Sequence, residues 1–360
     1  MINNVASLQG QSSNGNIAYI TLTQAVGCFL VIYGHSYPFV TSIPSYFIEL
    51  RSFLYCFHMP LFIWCSGFLF TYTNQAQKYT FGEFSLHRAK KLLLPYVLFS
   101  IVGLIPKYLL EGYINDTVAL DAVSILRVFV VPRENVWGHL WFLPMIYIMG
   151  LLGNLVEKLA KEYKLIAWGS LAFLFLFAPS LRGGWFAIND AINYFTFYAF
   201  GAVCALFWKR IRESSECTNR NNILTKGWAC LVIAVILYLI LGSNDVYGVV
   251  LVKRTIGILM IFFVLSISKY ICDQNYSIER DSLVAQTYQI FLLSWPCQAA
   301  INVLFERVAK LSFWVVHVSM FLAGVLLPIT IIAILRKTMS NDPGKQRKIS
   351  SKVVSTFLGY

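Results

Sequence analysis

Residues 53–72 read FLYCFHMPLFIWCSGFLFTY, twenty consecutive positions without an acidic residue, lysine or arginine. A helix needs about 20 predominantly apolar residues to cross the hydrocarbon of a bilayer. Apolar runs of similar length recur from Ile17 to Leu335, and the whole chain of 360 residues is 58% hydrophobic and 13% charged. Soluble domains are about 45–50% apolar and about 25% charged. A soluble enzyme, a nucleic-acid binder and a disordered chain are therefore excluded. Ten spans are expected, at 17–39, 53–72, 92–110, 140–156, 165–180, 192–208, 228–242, 248–268, 283–304 and 311–335. The expected fold is an all-α integral membrane bundle of about ten transmembrane helices. Residues 1–16 form a cytoplasmic segment, 17–335 the transmembrane domain, and 336–360 a basic cytoplasmic tail.

The net charge of +12 is read by position. With the N-terminus inside, 20 of the 29 lysines and arginines fall on cytoplasmic loops and the tail, and 9 fall outside. Basic residues concentrate on the cytoplasmic side of membrane proteins, so both termini are expected there. The uncharged residues 1–16 lack the basic leader of a signal peptide. The eight cysteines form no CxxC pair, and neither a disulfide framework nor a zinc site is expected.

Ionisable groups inside spans are costly in hydrocarbon and mark candidate function. His35 ends the first span in LVIYGHSYPF, His58 lies in the second, and His139 opens the fourth in WGHLWFLP. Lys253 and Arg254 enter the eighth from the outside. These five groups are expected to gather at one level beneath the outer surface, with Trp141 nearby. The alternative for each histidine is a bond to a neighbouring carbonyl or a ring at the interface. His87 and His317 fall elsewhere. A neutral imidazole is a suitable base for a hydroxyl, and nearby cations can stabilise an acyl oxyanion. A nucleophilic triad lacks a carboxylate partner in the spans, and two histidines alone make a poor metal site. On the inner side, FSLHRAKKLLLPY (84–96) sets Arg88, Lys90 and Lys91 before a span, with Pro95 expected in its first turn. The cluster is either a charge anchor or a grip on phosphates. No Gly-rich phosphate loop accompanies it.

AVGCFLVIYGH (25–35), FHMPLFIWCSGFLF (57–70), RAKKLLLPY (88–96) and HLWFLPMIY (139–147) together resemble the membrane-bound acyltransferase-3 family. That family includes O-acetyltransferases of bacterial surface polysaccharides and a fucose O-acetylase-like subgroup. The resemblance implies an acyl-CoA donor on the cytoplasmic side and a sugar hydroxyl outside. It makes His35 the residue essential for transfer and places Arg88, Lys90 and Lys91 near the CoA phosphates. His58, Pro60, Ser66 and Gly67 match the second-span motif, and Leu140, Trp141, Phe142 and Leu143 the fourth-span motif. Two positions depart from the pattern. Gln24 stands where many members carry an arginine, eleven residues before His35, on the same helix face and roughly 16 Å deeper. Ser294 and Trp295 stand where many have a late Tyr-Leu-x-His-Pro.

The leading expectation is an acetyl-CoA-dependent O-acyltransferase of the bacterial inner membrane, acting on a lipid-linked or polymeric glycan. His35 and His58 are the expected catalytic residues. Arg88, Lys90, Lys91 and Gln24 would hold the donor; His139, Trp141, Lys253 and Arg254 would serve the acceptor or the oxyanion. No resident cofactor, metal or nucleic-acid partner is expected. The rival reading is a polysaccharide exporter, for which ten spans are equally suitable.

Overall fold

The computed structural model describes residues 18–38, 42–109, 121–181, 183–213, 220–241, 248–273 and 286–340. Helices carry these residues: α1 (Ala18–His35), α2 (Ser45–Tyr55), α3 (His58–Tyr72), α4 (Phe81–Leu109), α5 (Ala122–Val130) and α6 (Phe142–Ala160). They continue as α7 (Lys164–Leu176), α8 (Ile188–Glu213), α9 (Arg220–Leu241), α10 (Gly248–Cys272), α11 (Thr287–Asn302) and α12 (Phe313–Ser340). No strand occurs among the described residues. Eight stretches of the described residues are long and apolar enough to cross a membrane. The chain is a multi-pass membrane protein.

The number eight differs from the expected ten for two local reasons. Phe142–Leu176 reads as one stretch, but it is two antiparallel helices. Lys161 ends α6 with φ 43° and ψ −103°, a non-helical conformation that breaks the run between them. The reversal follows from packing: Trp168 meets Tyr198, and Phe175 meets Phe195, so α7 runs against α8. The expected ninth span is represented by α11, which is only 16 residues long and continues into a π-helical turn at Val303–Val308.

A second correction concerns the basic cluster. Thr80 and Glu83 form a reciprocal capping box, with Thr80 N–H donating to Glu83 Oε2 at 2.9 Å and Glu83 N–H to Thr80 Oγ1 at 3.3 Å. The helix therefore starts at Phe81, eleven residues ahead of the expected boundary. Arg88, Lys90 and Lys91 stand on a helix, not in a loop. Pro95 lies well inside it rather than in its first turn.

The centre of the bundle is α3, buried without interruption from His58 to Cys65. Small residues let α8 approach it closely. A Cβ at Gly67 would land on the Tyr198 carbonyl, and one at Gly201 on the Trp64 carbonyl. Without a hydrophobic drive between helices in lipid, such backbone approach supplies the packing energy. The outward faces of α7, α9 and α12 carry exposed Phe173, Ile236 and Leu326, as a lipid-facing surface requires.

Candidate functional site

The end of α1 is fastened from two sides. Gln298 Nε2 on α11 donates to the Ile32 carbonyl at 2.8 Å and to Ser36 Oγ at 2.7 Å. His317 on α12 bonds the Ser36 carbonyl and packs among Tyr33, Phe47 and Phe313. This holds His35 at the mouth of the bundle. Its Nδ1 lies 3.3 Å from Tyr55 Oη, and its ring centroid lies 4.6 Å from that of Trp295, edge to face. Trp295, the position that departs from the late histidine motif, thus packs directly on His35.

His58 opens α3, buried, with Nδ1 2.7 Å from the Leu54 carbonyl. His139 sits in the turn before α6, with Nε2 3.3 Å from the Leu292 carbonyl and Nδ1 buried without a partner. Carbonyls only accept, so each of these nitrogens carries the proton. In the neutral rings the second nitrogen is then an acceptor.

The three histidines share one cavity of about 100 Å³ with Tyr55, Arg133, Trp141 and Tyr194. At about 30 Å³ of liquid volume per water, it has room for reacting atoms and not for a sugar ring. Tyr55, Arg133 and Tyr194 also line a neighbouring cleft of about 940 Å³, of the size that takes a ligand. Lys253 and Arg254 belong to this cleft rather than to the histidine cavity. Arg254 is buried and committed to the backbone: it donates to the carbonyls of Leu176 at 2.9 Å, Ala178 at 2.5 Å and Asn193 at 3.2 Å.

Arg133 and Asp190 were not legible as site residues. By sequence alone Arg133 is one of the nine cations expected outside. Its Nη2 lies 2.6 Å from Asp190 Oδ1, and its guanidinium sits 3.6 Å above the Trp141 ring. Tyr194 also stacks on Trp141, the two ring centroids 5.8 Å apart. Asp190 is buried at the start of α8, two residues outside the expected span. No local motif joins residues 57 positions apart.

At the opposite end, the donor candidates separate. Arg88 turns inward, where a Cβ on Gly150 would come within 3.3 Å of its Nε, and this nitrogen is buried with no hydrogen-bond partner. Lys90 and Lys91 are exposed. Helical spacing puts Lys91 beside Arg88 and Lys90 on the far face. Next to Arg88, Asn154 has both side-chain atoms buried and unpartnered, as is Tyr198 Oη. Positions 150, 153 and 154 share one face of α6, and a Cβ on Gly153 would lie 3.1 Å from Tyr198 Oη. Glu157, one residue past the expected fourth span, is buried and satisfied by Lys164 at 2.6 Å, Trp168 Nε1 at 3.0 Å and Thr71 Oγ1 at 3.3 Å. Gln24 is half-buried on α1. Among the described residues, no group of three or more His, Cys, Asp or Glu is placed to hold a metal ion.

These features define a helical membrane protein with a histidine cavity at one end and a buried polar cluster at the other. The family model of an acyltransferase domain matches residues 17–335, and the chain belongs to the acyltransferase-3 family. It is a membrane acyltransferase. The curated proteins and the solved structures give no match.

Proposed function

We propose that the protein moves an acetyl group from cytoplasmic acetyl-CoA to a hydroxyl of a bacterial surface glycan or its lipid-linked precursor, in the inner membrane. The observation that carries this reading is the convergence of His35, His58 and His139 on one small cavity beside a larger cleft. Arg88, with Lys91 beside it, takes the phosphates of CoA. The unpartnered polar atoms of Asn154 and Tyr198 supply bonds to the amides of the pantetheine arm, because buried polar groups otherwise find partners. Gln24 extends this path along α1.

His35 is the base. In the productive tautomer Nδ1–H donates to Tyr55 Oη, which leaves Nε2 unprotonated toward the acceptor. The acceptor oxygen attacks the thioester carbonyl carbon as its proton passes to Nε2. The tetrahedral intermediate collapses, the carbon–sulfur bond breaks, and the departing thiolate takes that proton to give CoA thiol and the O-acetyl ester. Neutral His58 and His139 present acceptors, so stabilisation of the oxyanion falls to Arg133, the cation that lines the histidine cavity. Trp141 and Asp190 position it.

His35→Ala abolishes O-acetyl groups on the surface polysaccharide, measured by NMR, at unchanged protein level. Retained acetylation would remove His35 from the mechanism. The exporter reading is tested in a strain that lacks the protein: polymer trapped inside with normal acetylation would favour it.

A further inference from the structure

The larger cleft has an unusual charge. Arg51, Arg133, Lys253 and Arg254 line it, and among its described lining residues Asp190 is the one carboxylate. That carboxylate is bound to Arg133, and Arg254 is spent on three backbone carbonyls. Arg51 rests the face of its guanidinium on Tyr37, 4.3 Å from the ring centre. This contact leaves its N–H edges for an acceptor. Lys253 is exposed within the cleft. A concave wall of one sign concentrates the opposite charge, and a neutral sugar gains nothing from such a wall.

We infer that the acceptor of this transferase is an anion, held in the larger cleft by Arg51 and Lys253 while its hydroxyl reaches over Tyr55 and Arg133 to His35. The inference rests on the transfer reading above and specifies its acceptor. Two sources present the needed oxygens: the carboxylate of a uronic acid and the phosphates of a diphosphate-linked glycan. Either makes charge-assisted bonds with Arg51 and Lys253.

The test measures how fast Lys253 is acylated by an amine-reactive ester in the purified full chain, read by mass spectrometry. Tetragalacturonate, inorganic pyrophosphate and neutral tetragalactose are added separately. At least one anion slows labelling of Lys253 by about fivefold or more, while the neutral oligomer does not. Raising the salt relieves the protection. Protection by tetragalacturonate assigns a uronate acceptor, and protection by pyrophosphate a phosphorylated one. Arg51→Gln removes the protection, measured against that variant's own rate without ligand, and an unchanged melting temperature reports that the fold is intact. If neither anion protects, or tetragalactose protects equally, the inference is overturned. His35→Ala separates the two readings, because it stops transfer and leaves protection in place. Protection in an unsubstituted protein that transfers no acetyl overturns the proposed function alone.

Discussion

Replacing Asp190 by Asn keeps the shape of the side chain and removes its charge. Asp190 accepts from Arg133 Nη2 at 2.6 Å and from Nε at 3.1 and 3.2 Å. Deleting one member of a fully buried pair costs about 3–5 kcal/mol. The Asp190 side chain is only 8% exposed, but that of Arg133 is 43% exposed, so water compensates part of the freed charge. A loss of about 1–2 kcal/mol in stability is expected, visible as a lowered melting temperature in detergent. The kinetic effect is separate. Loss of one oxyanion donor costs roughly 10²–10³ in kcat, the expectation for Arg133→Met. Asp190→Asn leaves the guanidinium present but poorly aimed over Trp141, and lowers kcat about tenfold, or about 1.4 kcal/mol in the barrier. The assay is CoA thiol release in membranes that contain their own glycan, for both single variants and the double. If Asp190 acts by holding Arg133, the double variant is no slower than Arg133→Met. Independent, multiplicative losses would refute that role, and an Arg133→Met enzyme with half its activity would refute the oxyanion assignment.

Tyr55→Phe removes the partner that selects the tautomer of His35, and kcat falls about fivefold, the worth of one hydrogen bond, with KM for acetyl-CoA unchanged; a shift in KM alone would contradict this. Arg88→Gln raises KM for acetyl-CoA by about tenfold or more, as loss of a charged hydrogen bond implies. The same variant handles S-acetyl-pantetheine, which lacks the nucleotide phosphates, as well as the parent does. Equal sensitivity to both donors would place Arg88 elsewhere than at the phosphates. Gly67→Ala drives a methyl into the Tyr198 carbonyl and destabilises the α3–α8 contact by about 1–3 kcal/mol. An unchanged melting temperature would show that this contact has room to relax.

The class of the molecule was written in its apolar runs, because bilayer thickness sets a length that composition alone can satisfy. The histidine level was legible for the same reason: His35, His58 and His139 sit toward the outer ends of the first, second and fourth runs, and helix rise converts position into depth. The start of α4 is also present in sequence, as Thr80 and Glu83 at capping-box spacing, eleven residues ahead of the boundary expected at residue 92. What lay beyond the sequence is pairing across distance. Arg133 and Asp190 meet only because α8 begins beside the turn before α6. Arg254 is taken up by carbonyls at the end of α7, just after it and on α8, which no local spacing announces. Trp295 lands on His35 because Gln298, one turn later on α11, fastens the end of α1. Depth in a membrane is a one-dimensional property that a chain carries residue by residue. Which side chains share a cavity at a given depth depends on how the helices are arranged around one another, and that arrangement is decided by close contacts such as Gly67 on Tyr198 and Gly201 on Trp64.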